Sequence, residues 1–502
     1  MSTGVVVRLE PKTYYNYIGG QWVEAVSGER YATTNPADTS QTIGSFQRSN
    51  RDDIRRAIQA AADAQPAWRR TPAPRRAEIL FRTWDLLRAR ADEYASYITL
   101  ETGKVFADAK GEVKRGTNVL EFAAGDGRRL KGETVPSELP KNFIYTVRRP
   151  VGVAGLITPW NFPLAIPLWK LAPALVCGNT VVMKPATNTP LCAIKLAELF
   201  AEAGLPGSVF NVVSGPGGVV GDELVNSPDV RAISFTGSTD VGRRLYAQAA
   251  QSLKRVQCEM GGKNAVVVLE DAPLDLAVEA ILQGAYGFCG QRCTATSRVI
   301  VDRKVKKALV DRLLERVKAM RVGDPFASDT QMGPLASESQ IEKVTEYIEI
   351  GKSEGAKLQV GGVRPSGAPY EKGYYITPAV FTDVRPEMRL AQDEIFGPVL
   401  AVMECDGMED AIRMVDTSTY GFKASVYTGD FFKIMHFIDE VDVGMVHVNA
   451  PTLGGEVQAP FGGIKGSGVG IKEQGRAQVE FFTEEIVVYM DYTGAKRDAR
   501  FI

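Results

Sequence analysis

Residues 151–163, VGVAGLITPWNFP, set the architecture of this chain. A short apolar run ends there in a turn bracketed by Pro159 and Pro163, and a helical pattern follows through LWKLAPALVCG (168–178). The rhythm then repeats through NTVVMK (179–184), a helix over LCAIKLAELFAEAG (191–204), SVFNVVSG (208–215), RAISFTGS (231–238) and the helix VGRRLYAQAAQSLK (241–254). Apolar runs of strand length alternating with helical stretches specify an α/β fold with a parallel, doubly wound (Rossmann-like) sheet, whose ligands bind beyond the carboxyl ends of the strands.

Upstream, residues 52–122 are rich in Ala and Arg and repeat apolar positions at three and four, the pattern of amphipathic surface helices. The polar stretch 128–149 interrupts them and has the composition of a ribbon or arm that packs against a partner. Downstream, a second α/β unit is expected over 262–461, with a helix through VKKALVDRLLERVKAM (305–320) and strands SRVIV (297–301) and VLAVM (399–403). The tail EFFTEEIVVYMDY (480–492) alternates apolar and polar residues like a strand with no hairpin partner beside it in sequence.

Composition narrows the function. At 502 residues the chain exceeds a single hydrophobic core and calls for several units. Its 59 Lys plus Arg against 60 Asp plus Glu give a net charge of -1, with no field to attract nucleic acid or an anionic membrane. No apolar run reaches membrane-spanning length, and Met1–Tyr15 does not read as a secretory signal. Six scattered cysteines lack the density of a disulfide scaffold or the pairing of a zinc site, and are read as reduced thiols of a cytoplasmic protein. With only His436 and His447 available, zinc and Ser-His-Asp chemistry are disfavoured, no metal is expected, and a general base falls to a carboxylate or lysine.

Several motifs carry chemistry. SGPGGVVGDEL places Gly215, Gly217 and Gly221 after one strand, and FTGSTDVG places Gly237 and Gly242 at a strand-to-helix turn; each reads equally as an ordinary turn or as a phosphate cradle. Cys293, among the small polar residues of GFCGQRCTATSR, is either a nucleophile or a structural thiol, while Cys289 beside Phe288 reads as packing or a regulatory neighbour. Asn161, on the rigid turn after a strand, offers an amide N–H to an oxyanion or caps the turn. Glu259 precedes paired glycines and an apolar strand, so it is a partly desolvated general base or a surface ion-pair partner.

The segments TPWNFP, VVMKPA, FTGSTDVG, EMGGKN, GQRCTA, EIFGPV and PFGGIKGSG occur in the order found in the NAD(P)-dependent aldehyde dehydrogenase superfamily, which the chain resembles from about residue 15 to 490. Glu259 and Cys293 lie 34 residues apart, as in its hydrolytic members. The resemblance implies that Cys293 attacks the aldehyde, that Asn161 and the Cys293 backbone N–H hold the oxyanion, and that Glu259 activates the water that hydrolyses the thioester. Lys170 and Glu473 match a proton relay beside that base.

For the cofactor the same resemblance points to Thr158, Pro159, Trp160, Lys184, Ala186, Thr187, Gly217, Gly221, Phe235, Thr236, Gly237, Ser238, Gly261, Glu394 and Phe396. Members preferring NAD usually carry a glutamate three residues after the matching lysine, where this chain has Thr187; without that carboxylate NADP is accepted and preferred over NAD. Phe162, Trp169, Thr294 and Phe461 are expected around the aldehyde. Arg292 reads either as a contact to a substrate carboxylate or hydroxyl, or as a helix-surface cation.

Trp169 replaces the arginine of bacterial succinic semialdehyde dehydrogenases, and the GQRCTA and NAPTLGGE segments resemble dehydrogenases of ketoglutaric semialdehyde and glyceraldehyde. A broad-specificity aliphatic or aromatic aldehyde dehydrogenase is the alternative. A coenzyme A-acylating relative is disfavoured by Glu259, and a non-catalytic crystallin-like protein by the retention of Cys293, Glu259, Asn161, Lys184 and Glu394. The family implies a cofactor-binding domain over 1–127 and 150–261, a catalytic domain over 262–461, and an oligomerisation arm over 128–149 and 480–502. That arm pairs across the subunits of a homodimer or homotetramer.

Overall fold

The computed structural model describes residues 9–496. Residues 1–8 and 497–502, the outer ends of the expected cofactor domain and arm, lie outside the described residues. Two large sheets form the body of the molecule. In the first, strands Val153–Ile157, Thr180–Lys184, Phe210–Val212, Val230–Thr236 and Arg255–Glu259 run parallel. The third, second, first, fourth and fifth of them lie side by side in that order, so strand order reverses between Val153–Ile157 and Val230–Thr236. A crevice opens beyond the carboxyl ends of strands at such a reversal. Antiparallel strands Asn16–Ile18 and Gln21–Val23 close one edge, and Gly468–Val469, beyond the expected catalytic domain, closes the other.

The second sheet orders Lys357–Val360, Ala379–Thr382, Val399–Cys405, Thr296–Asp302, Asn264–Val268, Lys423–Tyr427 and Met445–Val448. Its central strands Asn264–Val268 and Lys423–Tyr427 are wholly buried. Such strands carry apolar residues on both faces and need helices over each.

Local chemistry fixes the helices. Arg51–Arg70 starts on a capping box in which the Asn50 side chain accepts from Asp52 and Asp53 N–H while Asp53 returns the bond to the Asn50 backbone. Ala165–Cys177 is buried on every side and stops at Gly178, whose φ of 94° a side chain would strain. The expectation of surface helices over 52–122 holds for Arg51–Arg70 but not for Ala91–Thr102, which is buried without a break from Tyr94 to Thr102. That helix is sandwiched by neighbours, a burial its mixed polar sequence does not advertise.

The strands of the arm pair with one another. Thr483–Asp491 runs antiparallel to Asn142–Pro150 of the same chain over nine residues, and Thr134–Val135 adds a third strand. Residues 480–482, the start of the expected tail strand, instead close helix Ala477–Phe482. Phe481 and Phe482 are buried there, so core packing overrides their strand propensity.

Candidate active site

The turn after Ile157 carries Thr158, Pro159, Trp160 and Asn161, and a buried ion pair holds it. Lys104 bonds Glu112, both inaccessible to solvent, and donates a second hydrogen bond to the Asn161 carbonyl at 2.9 Å. Glu112 Oε1 accepts from Leu164 and Ala165 N–H at 2.9 and 3.1 Å, which satisfies two N–H groups left free at the start of helix Ala165–Cys177. The Asn161 side-chain amide donates to the Gln291 carbonyl at 3.0 Å. One amide N–H remains for another acceptor.

Cys293 follows a tight turn in which Phe288, Cys289 and Gly290 have φ of 51°, 55° and 66°. A Cβ on Gly290 would lie 2.5 Å from the Gly397 carbonyl oxygen, so only glycine fits there. The Cys293 carbonyl accepts from Asn264 Nδ2 at 2.8 Å. Of the six thiols, five are buried and Cys293 alone is partly accessible. Burial pushes this thiol up to about 12, with Lys423 opposing and Glu394, Glu259 and Glu473 adding to the rise.

Two cavities share Cys293. The first, about 250 Å³, has an aromatic wall of Phe162, Trp169 and Phe461, completed by Arg292 and Thr294. Trp169 meets Phe461 edge to face at 5.1 Å. Every substrate-facing residue expected from the sequence lines this cavity. Arg292 pairs with Asp108 at 2.9 Å, while its buried Nε has no partner.

The second cavity, about 170 Å³, lies at the reversal of strand order. It brings together Pro159, Trp160, Asn161, Thr236, Gly237, Ser238, Gly261, Glu394 and Phe396. Helix Thr239–Ala250 begins there without a side-chain cap, leaving first-turn N–H groups for an anion. A Cβ on Gly261 would come within 2.2 Å of Glu394 Oε2, so the glycine keeps that carboxylate in place. Glu394 accepts from Gly262 N–H at 2.9 Å, and burial raises its pKa.

The remaining expected cofactor residues lie outside this cavity. Gly221 packs near the Lys184 side chain, Thr187 donates to the Gly215 carbonyl at 3.1 Å, and Thr187 and Gly217 are exposed. Ala186 is half-buried and Thr158 buried. Among the described residues the Lys184 ammonium donates only to the neighbouring Pro185 carbonyl, and burial pushes its pKa down to about 8. The Phe235 ring is buried in the core beneath Gly237 and Gly242.

Glu259 sits in a carboxylate cluster. Gly463 N–H donates to its Oε2 at 3.2 Å, and burial, with Glu473 adding to it, holds its pKa well above the carboxylate range. Glu473 bonds Lys170 through Oε1 and keeps a buried Oε2 without a partner; Lys170 also donates to Ser234 at 2.9 Å. Two buried carboxylates close together favour retention of a proton, against the pull of Lys170 and Lys472.

Reading the sequence missed Gln340 and Lys343, which enter the second cavity from helix Glu338–Ser353. It also missed Asp108, Glu112 and Arg115, on one stripe of helix Phe106–Asp126, which line the first. The signal available was charge at i, i+4 and i+7, which also describes a solvated face.

A doubly wound sheet whose crevice meets an aromatic cavity at one thiol defines the class: the chain belongs to the aldehyde dehydrogenase family, whose model matches residues 22–488. It is 44% identical over 481 residues to the α-ketoglutaric semialdehyde dehydrogenase of Bacillus subtilis, covering 96% of this chain and 99% of the relative. Betaine aldehyde dehydrogenase from Staphylococcus aureus in complex with NAD+ superposes with a TM-score of 0.94 at 33% identity, covering 96% of this chain and 95% of the other. An NADP-dependent enzyme of E. coli gives 0.92 at 35% identity, covering 95% and 98%. The protein is thus an NAD(P)-dependent enzyme that oxidises an aldehyde to a carboxylate.

Iodoacetamide should label Cys293 before any other cysteine, at a rate that climbs with pH toward the alkaline range, because burial disfavours the thiolate. Peptide mapping of the labelled protein checks this, and first labelling at another cysteine would contradict it.

Proposed function

We propose that the enzyme oxidises a small aldehyde carrying a carboxylate, α-ketoglutaric semialdehyde in particular, with NADP preferred over NAD. The observation that carries the substrate class is Arg292: adjacent to the thiol, it lines the cavity and holds a buried N–H without a protein acceptor. A substrate oxygen there would relieve a desolvated donor. The name of the Bacillus subtilis relative points the same way.

The lining of the second cavity suits the nicotinamide and phosphate part of a dinucleotide, with an uncapped helix start for phosphate, and Glu394, Gln340 and Lys343 as polar partners. On this reading the first sheet belongs to the cofactor domain and the second to the catalytic domain. Thr187 puts no carboxylate beside Lys184, whose ammonium has only a backbone acceptor, so a 2′-phosphate would meet an unopposed cation.

Once its thiol proton has passed to a solvent water, Cys293 sulfur adds to the aldehyde carbon and forms the thiohemiacetal, while the Asn161 amide and the Cys293 N–H bond its oxyanion. When bound, the nicotinamide supplies the hydride acceptor. With the hydride gone, Cys293 carries a thioester. Glu259, in its ionised form, takes a proton from water, the hydroxide adds to the thioester carbonyl, and the carboxylate leaves as sulfur departs. The neighbouring Lys170–Glu473 pair is the relay by which that proton returns to solvent.

We also place the arm in a homo-oligomer. Val135, Val487 and Tyr489 are exposed on one face of its three strands, and Phe143 and Met490 on the other, apolar positions that a second copy would cover. Light scattering should report a dimer or tetramer for the native chain and a smaller species for Val487→Lys/Tyr489→Lys; a monomeric native protein refutes this.

With Glu259→Gln, one equivalent of reduced cofactor should form in a burst, followed by turnover slowed by at least about a hundredfold. Unchanged steady-state turnover would assign the water to another group. Initial rates with NADP and NAD over α-ketoglutaric semialdehyde, glyceraldehyde, succinic semialdehyde, hexanal and benzaldehyde test the rest. Highest kcat/KM is expected for the first with NADP; preference for hexanal or benzaldehyde, or for NAD, overturns the corresponding part.

A further inference from the structure

The charges around the first cavity do not balance. Lys104, Arg115 and Arg292 face Asp108 and Glu112 across it. Lys104 is matched by Glu112, and Arg292 by Asp108. Arg115 has no carboxylate partner among the described residues, although desolvation pushes its pKa down to about 10. Lys423, the other cation near the thiol, is not part of this lining; it donates to the Gly454 carbonyl.

Arg115 is also held in place. Its guanidinium donates to the Gly455 carbonyl and, at 3.3 Å, to Gln474 Oε1, and lies 4.8 Å from the Trp169 ring centre. Only two of the five N–H groups of an arginine are thereby used. A desolvated cation without an anion is costly, and one held rigid beside a cavity is prepaid for an incoming anion. A guanidinium also suits a carboxylate through two parallel bonds.

We propose that Arg115 is the anion-binding residue of this cavity, gripping the remote carboxylate of an ω-aldehydic acid while the aldehyde carbon lies at Cys293. The proposal rests on the carboxylated-aldehyde reading above and assigns the charge recognition to Arg115 rather than Arg292. Arg292 has its charge matched by Asp108, and offers the unpartnered Nε as a neutral-style donor to an oxygen along the chain. Because Arg115 is fixed, the gap between it and the sulfur selects one chain length.

The test compares kcat/KM for 5-oxopentanoate with that for pentanal, a charged and an uncharged aldehyde of equal length, in the native enzyme, Arg115→Met and Arg115→Lys. Inhibition by glutarate, measured for the same proteins, gives a readout that involves no turnover of the ligand. The native enzyme should favour 5-oxopentanoate. In Arg115→Met that ratio should fall on the order of a hundredfold and glutarate should lose its inhibition, with partial recovery of both in Arg115→Lys.

If the native enzyme shows no preference for the charged aldehyde, the substrate reading fails and this proposal with it. If the native preference stands and Arg115→Met retains it, Arg115 alone is overturned. The same holds if both substrates fall in parallel, which would assign the guanidinium to the thiolate or to packing. Should Arg115→Met fail to fold, Arg115→Lys decides: a ratio and a glutarate affinity equal to the native values refute bidentate recognition.

Discussion

The buried pair of Lys104 and Glu112 is the interaction on which both cavities depend. One carboxylate satisfies two N–H groups at the start of helix Ala165–Cys177, and one ammonium fixes the Asn161 carbonyl while lying 3.9 and 4.3 Å from the ring centres of Phe162 and Phe288. The turn so held sends Trp160 and Asn161 to one cavity and Phe162 to the other. Removing one partner would strand the other charge without water, a loss of about 3 to 5 kcal/mol in buried pairs. Replacing both with apolar residues could leave stability almost intact, but nothing would then orient the Asn161 amide. The pair thus serves geometry more than stability.

The turn at Gly287–Gly290 complements this. Three successive left-handed residues, two of them not glycine, store strain of about 1 to 3 kcal/mol at each non-glycine position. The surroundings sustain it: Cys289 Sγ contacts the Gly333 and Pro334 carbonyls, and Gln291 accepts from Ala336 N–H while its own carbonyl receives the Asn161 amide. Both strained and anchored, the segment delivers Cys293 to the seam between cavities. Asn161 and Cys293 are therefore coupled through Gln291, though they lie on turns beside strands of different sheets.

Much of this was legible in the sequence because it is local. The strand-helix rhythm from Val151, the prolines that frame Asn161 and the small residues around Cys293 each act within a few positions, so the doubly wound sheet emerged from them, whereas the aromatic residues around the first cavity were expected only from the resemblance to the aldehyde dehydrogenase superfamily. What escaped depends on residues that meet only after folding. Asp108, Glu112 and Arg115 read as a solvated stripe because their helix, Phe106–Asp126, shows its cavity only once Ala165–Cys177 packs against it. Lys343 and Gln340 likewise sit on a helix in the second unit that faces the first. The arm's pairing was out of reach for the same reason, since its two strands are more than 330 residues apart.

The electrostatic design follows from these long-range contacts. Around Cys293 the chain places carboxylates, Glu259, Glu473 and Glu394, which oppose the thiolate, and cations, Lys423 and Arg115, which favour it. Burial strengthens every one of these couplings by excluding water. A resting thiol held protonated resists oxidation and adventitious alkylation. An anionic substrate would draw on Arg115 and thereby remove one of the cations that favour the thiolate, whereas cofactor binding over Glu394 would mask one of the anions that oppose it.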